Sequence, residues 1–248
     1  MNTIFVHRDG RTQPVTSIDR SWLSPAAGVY LWVDLAAPSI PESLVLSDTF
    51  AFHHLAIEET RATRQSPKID AYDGYLFAAI AGSDADLSFF VGSHFIVSVH
   101  REESKAISDL MESVRHGGKH FGEGPFAMFH RLVRAALEGF TPVLQHQADC
   151  VDALEKRVLD KAAGGLVGDI LRARRDALQL SQRFSREHSA VSRLASRDVV
   201  DISDEMAVRF RDVQNHLARL LDASHALEHR LGDLLTAASA PSARKSWI

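Results

Sequence analysis

The sequence has little cysteine, little net charge and no long hydrophobic run, and each absence excludes a class of protein. Cys150 is the only cysteine in 248 residues, which excludes an internal disulfide framework and suits a reducing compartment. The formal net charge of −4 gives no reason to expect nucleic acid or an anionic membrane surface as a partner. No window reaches the roughly 18 apolar residues of a membrane helix. The N-terminus lacks the basic and apolar regions of a secretory signal. We therefore expect this chain, as it stands, to be soluble.

What is present is the composition of an ordinary globular protein, with 45% apolar and 24% charged residues. Residues 1–122 are predicted to form an α/β domain, because short β-rich runs alternate with short helical patterns. An opening hairpin should turn at Asp9-Gly10. Ser39 and Glu42 have the spacing of a capping box, which predicts the start of the first helix. Strands are predicted at 29–35, 75–81, 87–91 and 95–99, and helices at 39–50, 55–60 and 104–115.

Residues 123–248 are predicted to be helical throughout. The glycine-rich stretch 117–124 indicates a domain hinge. Three long apolar stripes with helical spacing follow it, and Gly139 and Pro142 should kink the first of these helices. The predicted fold class is therefore α+β: an N-terminal α/β/α domain with a mixed sheet, followed by three long helices.

The last helix, predicted at about 198–238, has a seven-residue repeat. Its apolar positions are spaced alternately by three and four residues, which is the pattern of a coiled-coil seam. A helix of this length would extend for roughly 60 Å, so we interpret it as a stalk. The seam positions are Ile202, Met206, Phe210, Val213, Leu217, Leu220, Leu227, Leu231 and Leu234, with one polar interruption at Ser224.

Three stretches carry sequence motifs in a fixed order. The first runs from Trp32-Val33-Asp34-Leu35 through Phe52–Glu59 and Arg64–Asp70 to Tyr75-Leu76-Phe77; the second joins Leu87–Gly92 to Phe95–His100; the third is Phe210-Arg211-Asp212-Val213. In order and spacing they resemble the cytoplasmic part of the CorA family of divalent-cation transporters, which includes ZntB-type proteins. The resemblance covers nearly the whole chain to about Leu235. It implies a magnesium or other divalent metal transport system, and no enzyme activity.

The sequence also departs from this family. His54 replaces the family's proline, and Ser66 replaces an arginine. The two C-terminal membrane helices and their Gly-Met-Asn signature are missing, so the pore that they line is not expected in this chain. Two alternatives stay open: a soluble cytoplasmic piece of a longer transporter at the cell membrane, or a stand-alone regulatory or protein-interaction paralogue that has lost transport.

The resemblance implies a metal site at Glu59 and Asp212, whose counterparts in the family face each other across a subunit interface of a pentamer. There they hold a regulatory cation, and Glu58 and His216 match a second cation position. Mg²⁺ keeps most of its waters, so two carboxylates bridging through water suffice to bind it. Zn²⁺, Co²⁺ or Ni²⁺ are alternatives to Mg²⁺. The competing interpretation is that these residues are solvated charges on helix faces.

Other chemistry-bearing residues have simpler interpretations. His225 and His229 are spaced i, i+4 beside Glu228 and could hold Zn²⁺ or Ni²⁺, although pairs of this kind are expected by chance among 13 histidines. We expect His53 to be a structural histidine and Cys150 to be an inert core thiol. No catalytic site is predicted, and no cofactor other than the divalent cation itself. We therefore predict the cation-sensing, or gating, domain of a CorA-like transporter, with divalent cations and further copies of itself as partners and no nucleic acid.

Overall fold

The computed structural model describes residues 2–62, 66–117, 119–160, 165–198 and 202–239. The motif residues Arg64 and Gln65, the start of the predicted stalk at 199–201 and the tail 240–248 lie outside these ranges. The chain groups into two compact units. The first contains residues 1–140 and 186–216, and the second contains residues 141–185 and 217–248. The boundary predicted at residue 122 stays a prediction, because this grouping does not follow chain order.

The described strands form one seven-stranded mixed sheet in the order β2-β1-β3-β7-β6-β5-β4. Only β3 and β7 pair in parallel, and every other neighbouring pair is antiparallel. The predicted mixed sheet is thereby confirmed, whereas β4 was not predicted. The strands are β1 Asn2–Arg8, β2 Arg11–Val15, β3 Tyr30–Ala36, β4 Lys68–Tyr72, β5 Tyr75–Ala81, β6 Asp86–Gly92 and β7 Phe95–His100.

The opening hairpin forms because Asp9 and Gly10 both adopt positive φ, 51° and 73°, which a two-residue hairpin turn of the favoured twist requires. The first helix begins with the predicted capping box, in which Ser39 and Glu42 bond reciprocally. The α-helices are α1 Ile40–Asp48, α2 His54–Glu59, α3 Lys105–Arg115, α4 Pro125–Glu138, α5 Phe140–Leu159, α6 Leu166–Ala195 and α7 Asp204–Ser239. Short 3-10 helices lie at Arg20–Leu23, Pro25–Ala27 and Lys119–Glu123.

The sheet of the first unit is covered on both faces. Alternate residues of β3, such as Val33 and Leu35, pack with Leu46 of α1 and Ala56 of α2 in one core. The opposite face contacts α4, where Phe89 of β6 meets Phe129 with ring centroids 5.4 Å apart. This arrangement confirms the predicted α/β/α layering. It also explains why the central strands β3, β5, β6 and β7 lack a polar face, since both of their sides are buried.

Part of the predicted hinge forms regular structure within the first unit. Within it, Lys119–Glu123 forms a 3-10 helix, and Phe121 is fully buried against the rings of His7 and Tyr30. The helix predicted through Gly139 and Pro142 is divided in two, since α4 ends at Glu138 and α5 begins at Phe140. A Cβ atom at Gly139 would lie only 3.1 Å from Ser83 Cβ and closer still to its hydroxyl, so the close approach of the β5–β6 loop favours glycine.

The second unit is built from α5, the first part of α6 and the last part of α7. Its core contains Val151 and Leu154 of α5, Ile170 and Ala177 of α6, and Leu231 of α7. The seam of α7 is buried at each predicted position, and Ser224 is buried too, donating to the Leu221 carbonyl at 2.8 Å. In this unit the predicted coiled-coil seam therefore packs against helices of the same chain.

Candidate functional site

The helix α2 ends in two acidic residues at the surface of the first unit. His53 caps its start, with Nδ1 accepting from the Leu55 amide at 3.3 Å, so this histidine has the structural role that we predicted. Ala56 and Ile57 are buried and fix the orientation of the helix. Glu58 is consequently exposed and Glu59 half-buried.

Glu59 already has a cationic neighbour. The Lys68 ammonium lies 2.9 Å from Glu59 Oε1 and 3.4 Å from Asp70 Oδ2. Burial acts to lower the pKa of Lys68, but the hydrogen bonds and charges of Glu59 and Asp70 outweigh it and raise that pKa. Lys68 belongs to β4, the strand missed in the sequence, so this pair was missed as well.

The other two predicted ligands lie on α7. Phe210 and Val213 are buried, which leaves Asp212 exposed, and His216 is half-buried one turn further on. His130 of α4 holds this turn in place: its Nε2 lies 3.2 Å from the Arg209 carbonyl, and its ring meets Phe210 edge-on.

The charge of the His130 ring follows from its surroundings. Burial lowers the pKa of His130, and the hydrogen bond to the Arg209 carbonyl opposes this shift without reversing it. A neutral imidazole can still donate through Nε2–H. The contact between α4 and α7 can therefore form with an uncharged His130 ring.

Asp212 also has a cation in its electrostatic surroundings. The pKa of Arg134 is raised chiefly by its 2.7 Å hydrogen bond to Glu138, and to a smaller degree by the charge of Asp212. Each of the two main candidate carboxylates is thus influenced by a positive side chain of its own chain. A divalent cation at either position would have to compete with that side chain.

The four predicted ligands form two pairs on two helices. Among the residues that the structure describes, no group of three or more His, Cys, Asp or Glu side chains could hold a metal ion. That statement includes His225 and His229, which are exposed on α7 in the second unit. Cys150 is half-buried, with Sγ 3.8 Å from His146 Nε2, so it is less enclosed than a core thiol.

A buried polar network on β3 and β7 was not assigned any role from the sequence. Trp32 Nε1–H donates to Ser98 Oγ at 3.1 Å, and the Ser98 hydroxyl donates to Asp34 Oδ1 at 2.5 Å. His100 lies with Nε2 3.2 Å from Asp34 Oδ2 and Nδ1 2.6 Å from the Glu102 carbonyl. Asp34 and His100 are 2% and 7% exposed, so the pair is buried.

The directions of these bonds assign the charges. When the Asp34 carboxyl is ionised, both partners of His100 are acceptors, so both ring nitrogens carry a proton and the ring is an imidazolium. Burial acts to lower the pKa of His100, but the hydrogen bond and charge of Asp34, with the Glu102 carbonyl, raise it above its ordinary value. Asp34 and His100 therefore form an ion pair whose two charges sum to zero.

Comparison with known proteins identifies the class of fold. A family model described as "CorA-like Mg2+ transporter protein" matches residues 27–245. The soluble domain of CorA from Methanocaldococcus jannaschii superposes with a TM-score of 0.77 at 15% identity, covering 94% of this chain and 95% of that one. The ZntB cytoplasmic domain from Vibrio parahaemolyticus gives a TM-score of 0.79 at 9% identity, with 94% of each chain covered. At these identities the two structures show the fold.

The chain belongs to the CorA-like family, because the family match spans most of its length. It is 26% identical over 211 residues to the "Putative metal ion transporter YfjQ" of Bacillus subtilis (strain 168), covering 83% of this chain. The chain spans 66% of the length of that relative. Within the described ranges, no helix combines the length and the apolarity needed to cross a membrane.

Proposed function

We propose that this chain is the cytoplasmic, cation-sensing domain of a CorA-like divalent metal transporter, and that Glu59 and Asp212 are its sensing residues. One observation carries the proposal: α2 and α7 each present a carboxylate at the surface of the same unit. The Glu59 side chain is 38% exposed, and Asp212 is exposed as well. Neither carboxylate belongs to the core. Each can therefore exchange its partner without unfolding the unit.

The sensing ligand is a divalent cation, Mg²⁺ first and Zn²⁺, Co²⁺ or Ni²⁺ as alternatives. Mg²⁺ prefers oxygen ligands and keeps most of its waters, which suits a site of two carboxylates. The site assembles between neighbouring copies of the chain in a homo-oligomer, which is a pentamer in the full-length protein. Glu58 and His216 supply a second, weaker position. The domain acts at the cytoplasmic face of the membrane and has no enzymatic role.

Lys68 sets the sensitivity of this site. In the absence of divalent cation, its ammonium neutralises Glu59 at 2.9 Å. Mg²⁺ must displace that ammonium, which weakens the apparent affinity and moves the response towards millimolar concentrations. Lys68→Gln should therefore lower the Mg²⁺ concentration needed for half-maximal response.

Sedimentation velocity with and without millimolar Mg²⁺ tests the proposal. A ligand that binds only the assembled form stabilises it by about 2.7 kcal/mol per site at a hundredfold excess over its dissociation constant. Mg²⁺ should therefore increase association of the wild-type chain. Asp212→Asn and Glu59→Gln should each abolish most of this increase, and Asp222→Asn, an exposed aspartate on the same helix, should leave it intact. An equal Mg²⁺ effect on Asp212→Asn and Asp222→Asn would refute the site.

A second function is favoured by the cationic neighbours Lys68 and Arg134. If they act as permanent partners of the two carboxylates, the chain would be a stand-alone regulatory or protein-interaction paralogue that has lost transport. Its self-association would then be independent of Mg²⁺ in every variant. In that case Lys68→Gln would change association without adding any response to Mg²⁺.

A further inference from the structure

The exposed face of α2 carries an apolar side chain beside its two glutamates. Leu55 is 53% exposed and lies three residues before Glu58 and four before Glu59. Side chains at these spacings lie on one face of a helix. Glu59 already contacts Lys68, whereas none of the described residues forms an ion pair with the exposed Glu58. This face therefore offers an apolar contact and a negative charge to a partner.

The exposed face of α7 repeats this spacing with one charge reversed. Val208 is 54% exposed, and Arg211 and Asp212 follow it after three and four residues. Arg211 is exposed, and no ion pair joins it to any residue within the described ranges. This face therefore offers an apolar contact and a positive charge, each at the same distance from its own candidate carboxylate as on α2.

The common spacing determines how the two faces can meet. When two helices lie side by side and run parallel, a single alignment matches all three positions: apolar with apolar, Glu58 with Arg211, and carboxylate with carboxylate. An antiparallel alignment that keeps the two carboxylates together would place Leu55 opposite His216 and would lose the charge match. The parallel alignment is therefore the complementary one.

A second copy of the chain is the partner that supplies the matching face. Both faces belong to the first unit, and within it the apolar side chains of Leu55 and Val208 are each more than half exposed. The two faces thus do not cover each other within one chain. Each face can be covered by the complementary face of a neighbouring copy.

We propose that α2 of one copy packs against α7 of its neighbour in this parallel alignment, with the two exposed apolar side chains in contact and Glu58 paired with Arg211. This inference rests on the proposed function, because the contact brings the two sensing carboxylates together. Without a cation those carboxylates repel each other, and the apolar contact and the ion pair offset part of the repulsion. The ion pair also engages Glu58, which keeps the second cation position weak.

Disulfide crosslinking between two different chains tests the contact. In a Cys150→Ser background, the chain with Leu55→Cys is mixed with the chain with Val208→Cys under mild oxidation, in EDTA and in millimolar Mg²⁺. The heterodimer should form faster than either homodimer, and Mg²⁺ should increase its rate. Leu44→Cys, at a position 46% exposed on α1, is the matched control and should crosslink more slowly with the same partner. Homodimers that form as fast as the heterodimer, or a Leu44→Cys chain that reacts equally fast, would overturn the proposal.

Exchanging the charges tests the ion pair, at exposed positions where folding is not at risk. Arg211→Glu in the Val208→Cys chain places like charges opposite each other and should lower the heterodimer rate about threefold to tenfold. Glu58→Arg in the Leu55→Cys chain should then restore that rate. Arg219→Glu reverses another exposed charge of α7, two turns further on, and should have a smaller effect. Equal losses in Arg211→Glu and Arg219→Glu, or no recovery with Glu58→Arg, would refute the assigned pairing.

The contact and the cation-sensing function fail in different ways. Crosslinking that follows this pattern in EDTA and does not increase with Mg²⁺ would support the contact and count against sensing. Association of the wild-type chain that depends on Mg²⁺ and Asp212, without an excess of heterodimer in the crosslinking mixture, would support sensing and overturn the contact.

Discussion

Replacing Asp34 with asparagine should strongly destabilise the first unit, although the two side chains are almost equal in size. Asp34 accepts hydrogen bonds at both oxygens, from Ser98 at 2.5 Å and from His100 at 3.2 Å. Asparagine offers one oxygen and one NH₂ group, so its NH₂ group would face the Nε2–H of His100, donor against donor, for as long as that ring carries both protons. It would also leave the His100 imidazolium buried without its counter-charge.

The expected loss is about 3–5 kcal/mol, which is the cost of removing one partner from a buried ion pair. For a chain of this size it corresponds to a fall in Tm of about 6–20 °C. Urea unfolding followed by tryptophan fluorescence measures it directly, because Trp32 donates to Ser98 in the same network. Asp109→Asn, an exposed aspartate on α3, is the matched control and should change stability by less than about 0.5 kcal/mol.

The pH dependence supplies a second, independent result. Since the pKa of His100 is raised in the folded chain, its contribution to stability is fully present below its unfolded value of about 6.5 and is lost as the pH rises through the folded value. The stability difference between wild type and Asp34→Asn should therefore be largest at pH values below about 6.5 and should narrow towards alkaline pH. A difference that stays constant, or that grows with pH, would refute the charge assignment of this pair.

Two further predictions test the packing of the same unit. Phe210→Ala should lower the free energy of unfolding in urea by about 3–5 kcal/mol, because Phe210 is fully buried against Phe129 and His130. Val208→Ala, at a position 54% exposed, should lower it far less. Equal losses in the two variants would contradict the predicted seam. Ser39→Ala should lower the free energy of unfolding by about 1 kcal/mol, because it removes the capping box of α1. Ser43→Ala, inside the same helix, should leave that free energy nearly unchanged. No loss in Ser39→Ala would mean that the cap does not stabilise this chain.

The parts of the fold that could be predicted from the sequence are those with a regular hydrophobic periodicity or with residue types specific to one turn or cap. The seam of α7 was predicted position by position because burial of a long helix depends on spacing alone. The hairpin at Asp9-Gly10 and the cap at Ser39 were predicted because their residue types match one local geometry. Strand β4 was missed because its sequence, Lys-Ile-Asp-Ala-Tyr, has only Ile69 buried and pairs at the edge of the sheet with β5 alone.

Other features depend on contacts between residues distant in the chain. Part of α6 and part of α7 belong to each compact unit. No residue pattern within a long helix marks where it passes from one unit to the other, so a prediction that follows chain order misses this division. The fully buried Glu187 of α6 accepts from the Ala81 amide of β5 at 2.6 Å, across 106 residues. The Lys68–Glu59 pair was missed for the same reason, because its discovery required the position of β4.

The motif that carried the family resemblance and the residues proposed for sensing have different physical roles. In Trp32-Val33-Asp34-Leu35, Val33 and Leu35 enter one core, while Trp32 and Asp34 belong to the buried polar network on the opposite face. This motif belongs to β3 of the sheet, whereas Glu59 lies on α2 and Asp212 on α7. Fold stability and the proposed cation response are therefore separable by experiment. A variant at Asp34 should change unfolding without changing the Mg²⁺ response of the molecules that remain folded, and a variant at Asp212, exposed on α7, should do the reverse.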